Sequence, residues 1–130
     1  MNGGSGNTSG FNMRAVGVGM IWGLGMMLLS LLIQMIVSSM APLSAPVLLT
    51  LGRVYQGLGA LVGGYAAARR AASAGWLHGA ISGAALVLSL SAVAGIPFSL
   101  VLLADFLKMM GIGTLLGSLG GVVGVNAAKR

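Results

Sequence analysis

Cysteine and glutamate are both absent from the 130 residues, and the acidic side chains amount to a single aspartate, Asp105. The first absence removes disulfides, thiolate nucleophiles and cysteine metal sites. The second leaves no paired carboxylates for acid–base chemistry. Histidine occurs once, at His78, with no second His, Cys, Asp or Glu close by, so metal-ligand spacing is missing too. No nucleophile elbow and no Walker-type loop occurs in the chain. Enzyme activity, a metal and a cofactor are therefore not expected.

Charge is scarce as well, with seven Lys and Arg and one acid, against 57% apolar residues. A water-facing surface of that composition would aggregate. The chain has instead four apolar stretches of the length that crosses about 30 Å of hydrocarbon, which takes about 20 residues. They predict spans near 13–38, 47–68, 76–94 and 101–125, and hence an all-α membrane protein, a bundle of four transmembrane helices occupying 13–130. Residues 1–12, rich in Gly, Ser and Asn, read as a disordered cytoplasmic leader. Ala41-Pro42-Leu43-Ser44-Ala45-Pro46 reads as the turn after span one and Gly95-Ile96-Pro97 as the turn before span four, because proline removes a backbone donor. The first apolar run is too long for a cleaved signal peptide.

Orientation follows from where the cations sit, since Lys and Arg near span ends stay on the cytoplasmic side. Arg14 flanks span one, Arg69 and Arg70 lie between spans two and three, and Lys129 and Arg130 end the chain. The other two connections carry no net charge, so both termini are expected in the cytoplasm. Tyr65, Trp76 and His78 then belong at the inner interface, with His78 bonding a nearby carbonyl or the headgroup region. Phe98, Phe106 and Tyr55 fall nearer the outer one. The cations are spread over three short segments, which fits anionic lipid headgroups and not nucleic acid.

A shift of 60 residues superposes Gly19 on Gly79, Ile21 on Ile81, Gly23 on Gly83, Gly57 on Gly117 and Gly64 on Gly124, and Ala67-Ala68-Arg69-Arg70 on Ala127-Ala128-Lys129-Arg130. The bundle thus reads as two repeated helical hairpins related by rotation about the membrane normal, although a Gly- and Ala-rich composition inflates chance agreement. Gly19 and Gly23, Gly59 and Gly63, Gly79 and Gly83, and Gly113, Gly117 and Gly121 recur every four positions. Such zipper-like small faces let two backbones approach closely in lipid. They serve either the protein's own helices or contact with another copy or another membrane protein.

Polar groups inside spans are few. Thr50, Arg53 and Gln56 follow at three-residue spacing on span two, and a stripe of that kind should face protein. Ser82 and Ser89 share a face of span three. Arg53 and Asp105 both fall in the outer half of the bilayer, where an unpaired charge costs several kcal/mol. Either Arg53 snorkels and Asp105 pairs with Lys108 three residues on, or Arg53 and Asp105 form an ion pair between spans two and four. A third possibility is that Asp105 binds a proton or cation.

The segment Gly63-Gly64-Tyr65-Ala66-Ala67-Ala68-Arg69-Arg70, followed by Gly75-Trp76-Leu77-His78-Gly79-Ala80 and Gly83, resembles the YrzE-like family of small four-span bacterial membrane proteins of unknown function. In that family a double glycine ends span two, a basic loop follows, and a Gly-Trp-Leu-His-Gly type sequence opens span three. The resemblance implies a multipass plasma-membrane protein and carries over no catalytic residue. Two functional classes follow: a non-enzymatic scaffold or accessory subunit that binds itself or a larger membrane complex, and a small oligomeric channel or transporter lined by the Thr50, Arg53, Gln56 stripe.

Overall fold

The computed structural model describes residues 11–93 and 100–129, with helix, turn and bend but no strand among them. The residues before 11, the Gly95-Ile96-Pro97 turn, Phe98 and Arg130 lie outside the described residues. Four helices follow in order: α1 (Met13–Met40), α2 (Ala45–Ala71), α3 (Gly75–Val93) and α4 (Leu100–Ala128). All four are long and apolar enough to cross a membrane. Even the shortest, α3 with 19 residues, is roughly 28 Å long at 1.5 Å per residue.

The helix ends follow local chemistry. Asn12 is the N-cap of α1, and its side chain accepts from the backbone N–H groups of Arg14 and Ala15 at 3.1 and 3.3 Å, two of the donors a helix start leaves without partners. Pro46, expected in the turn, lies in the first turn of α2. Its missing N–H is no loss there and its fixed φ suits the helix. α2 runs three residues beyond the expected end and closes at Ala72, whose backbone is left-handed with φ 55°, and Ala74 follows with φ 42°. Two alanines in a region that favours glycine bring α3 back within three residues.

The interior is made of small residues and the outside of large ones. Ala15, Ala60, Ala67 and Ala68 are buried with Val16, Leu86 and Val87, whereas Ile21, Trp22, Leu28, Met35, Leu107, Leu115 and Leu119 are exposed. In water this distribution would be an extended apolar patch; in lipid, where burial of apolar side chains gives no drive, close backbone approach through small residues is what holds helices together.

α2 and α3 each touch all three other helices, and α1 and α4 lie on opposite sides of that pair without touching one another among the described residues. On α1 and α2, a Cβ added at Gly19 would stand 2.5 Å from the Gly63 carbonyl oxygen, and one at Gly23 would stand 3.0 Å from the Gly59 oxygen. Between α3 and α4, Gly79 is pressed against Gly117 and Gly121, and Gly83 against Gly113 and Gly117. Between α2 and α4, Gly64 meets the backbone of Gly117, Gly120 meets Leu61 and Gly124 meets Tyr65. These separations leave no room for a methyl group.

Two hairpins are present, α1 with α2 and α3 with α4, but a rotation of one onto the other does not reproduce the packing. The 60-residue shift places Leu119 and Val123 at the positions of Gly59 and Gly63, and both are more than half exposed. The residues that in fact face Gly79 and Gly83 are Gly113, Gly117 and Gly121. A two-fold would also make α1 touch α4 as α2 touches α3, and it does not. The similarity along the chain therefore does not extend to which face of α4 is buried.

Candidate functional site

The polar residues of α2 and α4 partly converge. Arg53, Gln56 and Gly57 of α2 and Asp105, Lys108, Met109, Ile112 and Gly113 of α4 line one cavity of about 220 Å³. Spacings of three, four and seven residues place each set on one helix face. Asp105 pairs with Lys108 at 3.4 Å, one turn away and with both side chains largely exposed. No carboxylate among the described residues lies within ion-pair distance of Arg53, so the interhelical pair with Asp105 is not formed. The cavity thus holds two cations and one anion, with the Gln56 amide beside them. Thr50 is not part of it: its hydroxyl donates to the Pro46 carbonyl at 2.9 Å, the back-bond a helical threonine makes when no other acceptor is offered. The stripe of Thr50, Arg53 and Gln56 does not act as a unit.

His78, expected at the inner interface bonding a nearby carbonyl or the headgroup region, stands in the first turn of α3 with 1% of its surface exposed. Its Nε2 accepts the backbone N–H of Asn12 at 2.9 Å, and its Nδ1 lies 3.1 Å from the Ala74 carbonyl oxygen. One nitrogen must therefore accept and the other donate, which defines the tautomer with the proton on Nδ1. Phe11 stacks on the ring at 5.5 Å between centroids. The imidazole ties the start of α1 to α3, with no surface left for a headgroup.

The remaining cations, Arg14, Arg69, Arg70 and Lys129, are exposed, and so is Trp76. Arg69 and Arg70 occupy the last turn of α2, where positive charge also complements the helix dipole. All nine glycines that form the four-residue repeats have a neighbouring helix within contact distance of a Cβ. Gly64, Gly75, Gly120 and Gly124 are equally close to a neighbour and lie outside those repeats; the coincidence of Gly64 with Gly124 under the 60-residue shift is the signal that could have found two of them. Phe11 and Asn12, assigned to the leader by their polar, Gly-rich neighbourhood, are instead ordered against His78. Ser82 is fully buried and its hydroxyl has no hydrogen-bond partner; it lies against Gly19.

Long apolar helices, a small-residue interior and a large-residue exterior define a multipass membrane protein built as a four-helix bundle. Residues 12–124 match the family described as "Protein of unknown function (DUF3792)", and the chain belongs to that family. No curated protein and no solved structure matches the chain.

Proposed function

We propose that the protein is a non-enzymatic scaffold or accessory subunit of the bacterial plasma membrane, both termini cytoplasmic, acting through helix packing with a second copy or a larger membrane complex. The observation that carries this reading is the uncovered length of α1. From Leu31 to Met40 none of its residues is buried, and α4 does not reach it. Nearer its start, Gly17 and Gly25 have nothing within 4 Å of where a Cβ would be. The glycines of the interior are already engaged by the protein's own helices, so a partner would use α1. The Gly63-to-Gly83 segment supports the narrower kinship with YrzE-like proteins.

The cavity at Arg53 and Gln56 favours a second reading, a small oligomeric channel or transporter in which the cations select anions. Purified protein in liposomes separates the two. Stable co-purification of a defined partner, lost when Gly25 is replaced by Trp, with no solute flux, is expected for the subunit. Anion flux abolished by Arg53→Ala would overturn it in favour of the pore.

A further inference from the structure

A second cleft, of about 480 Å³, lies away from the polar cavity, along α2 where α1 and α4 fail to meet. Its floor is one stripe of α2, with Val62, then Tyr65 and Ala66, then Arg69, and Arg70 at the rim; its wall is Val18 and Trp22, one turn apart on α1. At 100° per residue these α2 positions fall between the seam facing α1, at Gly59 and Gly63, and the seam facing α4, at Gly57 and Gly64. The gap in the bundle is therefore the cleft.

The chemistry along the cleft is graded. Two guanidinium groups stand at one end, in the last turn of α2. A tyrosine lies one turn deeper, and beyond it the lining is apolar with the ring of Trp22, which is 61% exposed. α1 begins at the same end, so Trp22 lies roughly 13 Å along it at 1.5 Å per residue. Cation, amphipathic ring and hydrocarbon in that order match the phosphate, ester and acyl chain of a phospholipid. A bare apolar helix from a partner has no use for two cations at one end. A second copy of a chain carrying net charge +6 would bring its own Arg69 and Arg70 to the same leaflet.

We infer that this cleft is a binding site for one anionic phospholipid of the leaflet that holds Arg69 and Arg70. Phosphate pairs with the two arginines, the glycerol ester lies at Tyr65, and an acyl chain runs between Trp22 and Val62. The inference rests on the protein spanning a membrane and not on its being a scaffold.

The test uses the whole chain with Trp76→Phe, leaving Trp22 as the only tryptophan, in phosphatidylcholine vesicles holding a minor fraction of brominated phosphatidylglycerol or brominated phosphatidylcholine. Bromine quenches a tryptophan it touches. Half-maximal quenching of Trp22 is expected at least about fivefold lower in phosphatidylglycerol, given the attraction of one surface cation for an anionic headgroup. Arg69→Gln with Arg70→Gln should erase the preference, and so should about 1 M salt on the unaltered arginines, where screening acts within about 3 Å. A tryptophan introduced by Leu119→Trp, in a chain lacking the other two, is equally exposed at similar depth outside the cleft and should show no preference. Equal quenching of Trp22 by the two lipids, a preference that survives loss of both arginines, or the same preference at position 119 would overturn the site. Flotation of the vesicles with bound protein is read in parallel: protein that floats without lipid preference sinks the cleft alone, and protein that does not float sinks the membrane-spanning reading with it.

Discussion

The backbone N–H of Asn12 donates to Nε2 of His78 across 66 residues of chain, at 2.9 Å, while the Asn12 side chain caps the helix that begins one residue later. One residue thus starts α1 and fastens it to α3. Replacing His78 by Ala removes both ring hydrogen bonds and the stack with Phe11, and leaves the part-buried N–H of Asn12 without that acceptor. A loss of about 2–4 kcal/mol is expected in thermal unfolding in detergent. Asn12→Ala keeps the backbone donor and loses the cap alone, with an expected cost of about 1 kcal/mol. Equal effects would show that the imidazole does no more than fill space. Nitrogen NMR of the ring should find the proton on Nδ1.

Glycine positions separate into two kinds that one methyl group distinguishes. At Gly117 a Cβ would collide with the carbonyl of Gly79, and the Cα of Gly83 stands only 3.1 Å away. Backbone cannot yield as a side chain can, so Gly117→Ala must move a helix, at a cost of about 1–3 kcal/mol. At Gly17 nothing lies within 4 Å. There Ala should raise stability by about 0.5–1 kcal/mol, because a helical glycine has more backbone freedom to lose. Thermal melts of the two variants in one detergent should move in opposite directions.

Ser82 presents the reverse case, a buried hydroxyl with no partner. Deleting an oxygen that makes no hydrogen bond relieves its desolvation and opens little volume, so Ser82→Ala is expected to be neutral or stabilising by up to about 1 kcal/mol. Its one neighbour of note is the backbone at Gly19, where a Cβ would stand 2.5 Å from the hydroxyl oxygen, a setting for a weak Cα–H contact. A loss above about 2 kcal/mol on substitution would mean that the hydroxyl has a partner after all.

The spans were legible to within a few residues because bilayer thickness sets their length and the absence of charge marks them. Phe11 and Asn12, read with the leader, instead belong to the start of α1, which Asn12 caps, and Pro46 opens α2 although it reads as part of a turn, because a proline that opens a helix and one that sits in a turn look alike in a chain. What could not be read is which faces meet. Gly59 and Leu119 correspond along the chain and yet one is buried and the other exposed, since a helix can turn about its axis without altering its span. The partner of His78 lies 66 residues away, beyond any periodicity. Of the two pairings the chain offers Asp105, the local one with Lys108 three residues on forms and the interhelical one with Arg53 does not, although both side chains line one cavity.

The central claim is that four helices cross the bilayer and place alternate connections on opposite sides. The native chain lacks cysteine, so a single cysteine at Ala41, in the connection after α1, or at Ser73, in the connection after α2, reports its own side; both positions are exposed. In intact cells a membrane-impermeant maleimide should label Ala41→Cys directly and Ser73→Cys only after permeabilisation. Labelling of both from the same side would contradict it.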